Sequence, residues 1–533
     1  MSMVDWLVLT LYLVGMVAMS AYLAKGQKDP SDYYVGGRNL PWWAIGVSTM
    51  ATQTSAISFI GIPAFVALKP GGGVSWLQYE LALPLAMIVV MVFLIPFFRN
   101  LGLISVYGYL EKRFDRPTRK IMSGIFLFSR GLATGVAVYA SAVVLSVCLG
   151  IPVWACILIV GGVTVVYDTL GGMAAVVWSD VVQMVVLVGG VLLCVGLAIH
   201  QVGGLSAMLG AHDPLRLVAL RDGHGLGDGA AAPMWGFLVG GLFLYISYYG
   251  VDQSQAQRAL SAPSVADTKR SLVLNGLARF PLTLLYLLMG LAIGASFHAS
   301  PELQAAVPDG KYDYLVPQFV QLNLPPGARG MLFAAILAAA MSSLDSALNS
   351  LSAATMRDFV EPALGGDERR LLRASKVVTV IWGAAMTGFA FFVGGISDTV
   401  ISGINMIGSV FYGPILAAFL AGILDKRARG AAVLAGVAAG AISNTVLAIV
   451  LPEQVYWMWW NLTGLVVSMG VTWLGSRFMT PPEPLQVAET TMSLAGVLSR
   501  ERAWVGVYGF LGAYFVAILL FASVIDDVLA VFL

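Results

Sequence analysis

Charge is scarce in this chain: Asp, Glu, Lys and Arg make up 11% of its 533 residues, against about 25% in soluble globular proteins. That scarcity excludes an ordinary soluble fold, and no basic tail or face stands apart to meet a nucleic acid. Cysteine is nearly absent. Cys148, Cys156 and Cys194 all fall within apolar stretches, which excludes a disulfide framework. Histidine is equally rare, and His200, His212, His224 and His298 lie at the ends of apolar stretches or between them. No buried metal or acid–base cluster can be built from four such residues. No HExxH or GxSxG pattern occurs in a suitable context, so an enzyme is not expected.

What the chain has is apolar length. Hydrophobic residues make up 58% of it, its mean hydropathy is +0.83, and runs of the ~20 residues needed to cross a bilayer recur from end to end. The pattern predicts an all-α polytopic membrane protein with fourteen spans, at 3–24, 42–68, 74–98, 119–148, 151–169, 173–200, 232–251, 266–297, 329–361, 367–396, 398–424, 429–452, 454–477 and 503–530. The first run, from Val4, has neither a basic leader nor a small-residue cleavage site, so it reads as a retained helix. Longer outside loops near 201–231 and 298–328 should carry short surface helices, and 478–500 reads as an inside linker.

Lysine and arginine in the loops set the orientation. With the N-terminus outside, 23 of them, Arg258 included, lie on the cytoplasmic side, in loops or toward the inner ends of spans, and 5 on the external side, while Arg130 and Arg279 lie deeper within spans. Fourteen spans then put the C-terminus outside as well, in a cell (plasma or inner) membrane.

Two polar interruptions break the apolar pattern. Ser342, Ser343, Asp345 and Ser346 sit inside the 329–361 span. Hydroxyls and carboxylates at bilayer depth are costly and face a cavity, an ion or each other; these are hard oxygen ligands suited to an alkali cation. The second interruption, residues 48–58 with Gly61 and Pro63 following, lies in the 42–68 span. Discontinuous helices of this kind line transporter binding sites near the midplane. Span 232–251, with Gly240, Gly241 and a polar end, is the candidate counterpart, so 42–200 and 232–424 would be two five-helix units of opposite orientation.

Several segments in order resemble the sodium:solute symporter family, which includes the sodium–glucose, proline and sialic acid transporters. They are SVYGYLEKRF at 105–114, LGGMAAVVWSDVVQ at 170–183, DQSQAQR at 252–258, AAMSSLDSALNS at 339–350 and GPILAAFLAG at 413–422. The resemblance implies the leucine-transporter-type 5+5 inverted repeat. One extra helix (3–24) would precede the ten-helix core and three (429–530) would follow it, in a single transporter domain over 1–533.

The resemblance further implies sodium-coupled symport by alternating access, with one or two Na+ ions co-transported. A first sodium site would use Ala51 and Thr54 from the broken helix, with Ala339, Ser342 and Ser343. A second, present in some members, would use Asp180, Ser342, Asp345 and Ser346; sialic-acid-type members carry serine where this chain has Asp345, whose carboxylate favours a cation or a proton. Cargo would meet Gln53, Ser55, Ser58, Gln78, Arg130, Asp252 and Asn405, with Glu80 near Gln78 and with Trp76, Tyr245, Tyr248 and Tyr249 as stacking or gating aromatics. An arginine within the membrane has a fork suited to a carboxylate, and sialic acid transporters hold the cargo carboxylate with an arginine matching Arg130. The expected cargo is therefore a polar, carboxylate-bearing solute: a sialic or other acidic sugar, or a smaller organic acid. A neutral sugar is the alternative. The partners are the small solute, sodium and the lipid bilayer, with no nucleic acid, and a monomer is the expected functional unit.

Overall fold

The computed structural model describes the chain apart from residues 222–224, 227–232, 366, 394–399, 453, 493 and 531–533; the side chains of 57, 400–407, 494, 495, 498 and 526–530 also lie outside the description. Among the described residues the secondary structure is helical throughout, as bilayer burial of a backbone requires. Helices stand at each predicted apolar stretch. Among the described residues eight are long and apolar enough to cross a bilayer, and a bent pair, Trp42–Gln53 with Ser58–Ala67, makes a ninth if it is one span. The loops near 201–231 and 298–328 carry the short helices Leu205–Gly210 and Pro301–Ala306, and the 478–500 segment carries Pro484–Thr490.

The helix Ala328–Thr355, which bears Ser342, is the axis of the bundle. It is buried along almost its whole length and packs on Val153–Gln201, Arg116–Leu149 and Met3–Leu23. Met3–Gly26 and Arg502–Ile525 bury little and stand at the periphery. Cys148, Cys156 and Cys194 are buried free thiols.

The interruption at 48–58 is a true helix break. Trp42–Gln53 ends at Thr54 (φ −98°, ψ 82°), and Ala56–Ala67 begins after Ser55, whose hydroxyl accepts the Ser58 N–H at 3.4 Å. The sequence prepares it. Thr49, Thr52 and Thr54 turn their hydroxyls back onto the carbonyls of Ile45, Ser48 and Met50 at 2.7–3.0 Å, which competes with the helix ladder, and Ser55 supplies the next N-cap. The two halves meet at 56°.

The spans predicted at 151–169 and 173–200 are two helices within Val153–Gln201 that meet at a kink at Gly172 (φ 54°, ψ −151°). Tyr167 and Ser179 both donate to Asp345 Oδ2. A straight helix would hold residues twelve apart about 18 Å from each other along its axis, so the run doubles back at Gly172. That backbone region is open essentially to glycine alone, and a Cβ there would lie 2.5 Å from the Tyr33 carbonyl oxygen. Gly172→Ala is expected to destabilise the protein by at least roughly 1–3 kcal/mol, read as a lower midpoint in thermal unfolding in detergent; an unchanged midpoint would show that the reversal does not depend on this glycine.

Arg258 departs from its predicted place. Its guanidinium is wholly buried in the bundle instead of lying in a cytoplasmic loop. It belongs to a short helix, Gln253–Leu260, that tucks beneath the 241–250 helix, with Asp252 as N-cap. Without it the loop charges keep the same asymmetry.

Candidate functional site

Where the broken helix faces the Ser342 helix, oxygens gather. Ser342 Oγ lies 3.2 Å from the Ala51 carbonyl oxygen and 3.2 Å from that of Ala339, and Ser343 Oγ lies 3.3 Å from the Thr52 carbonyl oxygen. These separations exceed the 2.7–2.8 Å mode of O–H···O hydrogen bonds, so the oxygens are assembled without being tightly paired. That is the arrangement expected of groups able to share a small hard cation. Thr54 is beside them, but its hydroxyl is committed: it accepts from Arg279 Nη1 at 2.6 Å and donates to the Met50 carbonyl at 2.9 Å. Only its carbonyl remains for an ion.

The second predicted set is also brought together, around a group that the sequence reading put elsewhere. Asp180 Oδ2 accepts from Ser48 Oγ at 2.5 Å and lies 3.4 Å from Arg258 Nη2. The same guanidinium bonds Ser48 Oγ at 2.7 Å through Nε, and also Ser346 Oγ and the Ser254 carbonyl. Asp345 accepts from Tyr167 and Ser179 through Oδ2 and from Ser346 through Oδ1. Asp180 Oδ1 has no hydrogen-bond partner among the described residues. Arg258, Ser48, Tyr167 and Ser179 were not foreseen here. A clue was available: the 252–258 segment holds only one apolar residue, Ala256, among six polar ones, yet it directly follows an apolar span, and a run of this kind becomes buried only by finding partners.

Beside the ion-ligand set lies a cavity of about 190 Å³ that takes in Gln53, Ser55, Ser58, Arg130 and Asp252. Thr52 and Ser343 line it too, so the oxygen cluster borders the cavity directly. Arg130 meets Asp252 loosely. Its Nη1 is 3.8 Å from Asp252 Oδ2, its guanidinium lies 5.9 Å from the centre of the Tyr248 ring, and its Nε has no hydrogen-bond partner among the described residues. Asp252 Oδ1 is spent on its capping role, accepting the Ser254 N–H at 2.8 Å and hydroxyl at 2.5 Å. The guanidinium thus has donors left over, facing a cavity.

Other predicted residues divide. Gln78 is a correction: it is buried, donates to the Ala219 carbonyl at 2.9 Å and is absent from the cavity lining. The Val74–Glu80 stretch winds as a tight 3-10 helix, in which residues three apart share a face, so Trp76 and Tyr79 face the cavity while Gln78 is turned toward the 201–231 loop at Ala219. Glu80 does line the cavity but is locked in an ion pair with Arg279 at 3.1 Å, and it also accepts from Thr283 at 3.0 Å and Tyr245 at 3.2 Å. Trp76 and Tyr248 line the cavity; Tyr245 and Tyr249 stand behind it, Tyr249 donating to Gln53. Asn405 is in the helix Val400–Leu424, and its side chain lies outside the described residues.

Residues 33–440 match the family described as "Sodium:solute symporter family". The chain is 30% identical over 447 residues to the human sodium-coupled monocarboxylate transporter 1, covering 82% of this chain and 72% of that protein. It is 30% identical over 427 residues to the human sodium/iodide cotransporter, covering 78% of this chain and 64% of that longer protein. Among solved structures, a Na+-coupled sialic acid symporter in a substrate-bound outward-open state superposes with a TM-score of 0.80 at 27% identity, over 90% of this chain and 99% of that one.

Proposed function

Because the chain belongs to the sodium:solute symporter family, we propose that it carries a polar, carboxylate-bearing solute into the cell with sodium, by alternating access. Sodium sits among Ala51, Thr54, Ala339, Ser342 and Ser343. Cargo sits among Gln53, Ser55, Ser58, Arg130 and Asp252, with Asn405 a further candidate on the resemblance alone, and its carboxylate takes the donors that Arg130 has to spare. The observation that carries the reading is this Arg130 fork opening on a cavity that Ser343 and Thr52 also line. Ion and cargo would share a wall, so each can stabilise the conformation the other needs.

The cavity, at about 190 Å³, lies below the 300–1,000 Å³ of pockets for drug-sized ligands, which favours a small organic acid over a large acidic sugar. A neutral sugar is the second reading; Asp252, Gln53 and the two serines could bind hydroxyls. The same proposal includes inverted repeats at 42–200 and 232–424, both termini outside, and function as a monomer. The drive is adequate. One ion gains ~2.3 kcal/mol per 100 mV and ~1.4 kcal/mol per tenfold gradient; a singly charged anionic cargo cancels the potential term of one ion, leaving about tenfold accumulation, whereas two ions supply about 5 kcal/mol, roughly 10³–10⁴-fold.

A thermal-shift series with short carboxylates and neutral sugars tests the reading: a carboxylate should raise the unfolding midpoint in sodium and not in choline. Stabilisation by sugars alone would select the second reading. Ser342→Ala should raise the sodium concentration for half-maximal effect about tenfold, the value of one charge-assisted contact; an unchanged sodium dependence would remove Ser342 from the site.

A further inference from the structure

A second cavity, of about 410 Å³, lies apart from the transport site, where the segment before Arg116–Leu149 meets the start of Gly430–Val450 and the chain after Trp460–Arg477. Two arginines line it. Arg113 is almost fully buried; its Nε and Nη2 are held by the Gly422 and Asp425 carbonyls, each at 2.9 Å, while Nη1 has no hydrogen-bond partner among the described residues. Arg429 is the other, half-buried and in no ion pair among the described residues.

The third positive element is backbone. Gly430–Val450 is a 21-residue helix whose N-cap is Arg429, with no side chain capping it. Its first N–H groups are therefore unsatisfied within the helix, and Gly430 and Ala431 line the cavity. The one acid on the wall among the described residues, Asp115, caps its own helix through Oδ1, which accepts the Thr118 N–H at 2.7 Å, while its Oδ2 lies beside Gly430, 2.5 Å from where a Cβ would stand. One carboxylate thus faces two guanidiniums and a helix N-terminus, a net positive set that a further anion would balance.

We propose that this cavity is a binding site for a phosphate group, bonded to Arg113 Nη1, Arg429 and the first amides of the 430–450 helix. Phosphate matches this donor set: it accepts several hydrogen bonds at once and suits the guanidinium fork. The group can come from an anionic phospholipid headgroup or from free phosphate, since 22 of the 30 basic residues, these two among them and the buried Arg258 set aside, are assigned to the same side of the membrane by the expected spans. Occupied, the site would tie the 108–115 segment to the helices at the C-terminal end of the bundle.

Native mass spectrometry of the delipidated full chain separates the sources. Phosphatidylglycerol, retained at one copy per chain and preferred over phosphatidylcholine, identifies the headgroup; calorimetric binding of inorganic phosphate without lipid selectivity identifies the free ion. Arg429→Gln, a change at a half-buried residue with no ion-pair partner, should weaken whichever binding is seen by roughly tenfold, while Arg427→Gln, on the exposed neighbour, should not. Arg113→Lys, which keeps the charge but loses the fork, should weaken it as well. Equal retention of both lipids together with no phosphate binding would overturn the proposal, and so would binding that Arg429→Gln leaves intact.

Discussion

Arg130→Ala is expected to reduce uptake of a carboxylate cargo by two orders of magnitude or more. Removing one partner of a buried, hydrogen-bonded charge pair costs about 2–5 kcal/mol, and here the partner left behind is the cargo's own carboxylate, beside Asp252. The present Arg130–Asp252 contact is loose, at 3.8 Å without a hydrogen bond, so an incoming carboxylate has a guanidinium edge to take without first breaking a strong pair. Arg130→Lys should recover only part of the loss, because an ammonium supplies the charge without the planar fork. Initial rates of sodium-driven uptake in proteoliposomes measure both variants. If a neutral sugar is taken up and Arg130→Ala leaves its rate unchanged, the carboxylate reading fails and the sugar reading replaces it.

The largest stability effect is expected at Arg258. Its guanidinium joins Ser48, Ser254, Asp180 and Ser346, from four separate stretches of chain, and none of it reaches solvent. Arg258→Met should cost about 3–5 kcal/mol, the range for breaking a buried ion pair from one side, because Asp180 and Asp345 would stay buried with the neutralising charge gone. A soluble cation or a proton then has to neutralise them, and at fixed pH sodium is the variable cation. The unfolding midpoint of the variant should therefore climb more steeply with sodium than that of the unaltered protein, as mass action on a native-state site requires. A midpoint that falls by the expected amount with no steeper sodium dependence would mean that the cluster is purely structural.

Much of this was readable in advance, for reasons specific to each residue. Ser342, Ser343, Asp345 and Ser346 stand out because bilayer burial makes an oxygen conspicuous, and the helix break is legible as a polar run, 48–58, inside an apolar span with Gly61 and Pro63 following; that the threonines bond backward onto their own helix is seen only in the structure. Gln53, Ser55, Ser58, Arg130 and Asp252 converge on one cavity although they come from three distant segments, and it was the resemblance, not their spacing, that brought them together. Other features could not be read. Nothing local distinguishes Gly172, where the chain reverses, from Gly171 beside it. Gln78 and Glu80 are two residues apart, and only the tight winding of 74–80 decides that Glu80 reaches the cavity while Gln78 turns away. Arg258 was assigned to the cytoplasm because loop arginines usually are, whereas its burial depends on carboxylates and hydroxyls far away in sequence.

Sodium coupling is the central claim, and uphill accumulation tests it most directly. Proteoliposomes holding the purified chain should concentrate a recognised carboxylate when sodium is imposed outside, and should stop when choline replaces it with no pH difference across the membrane. Accumulation that proceeds equally well in choline would contradict the account.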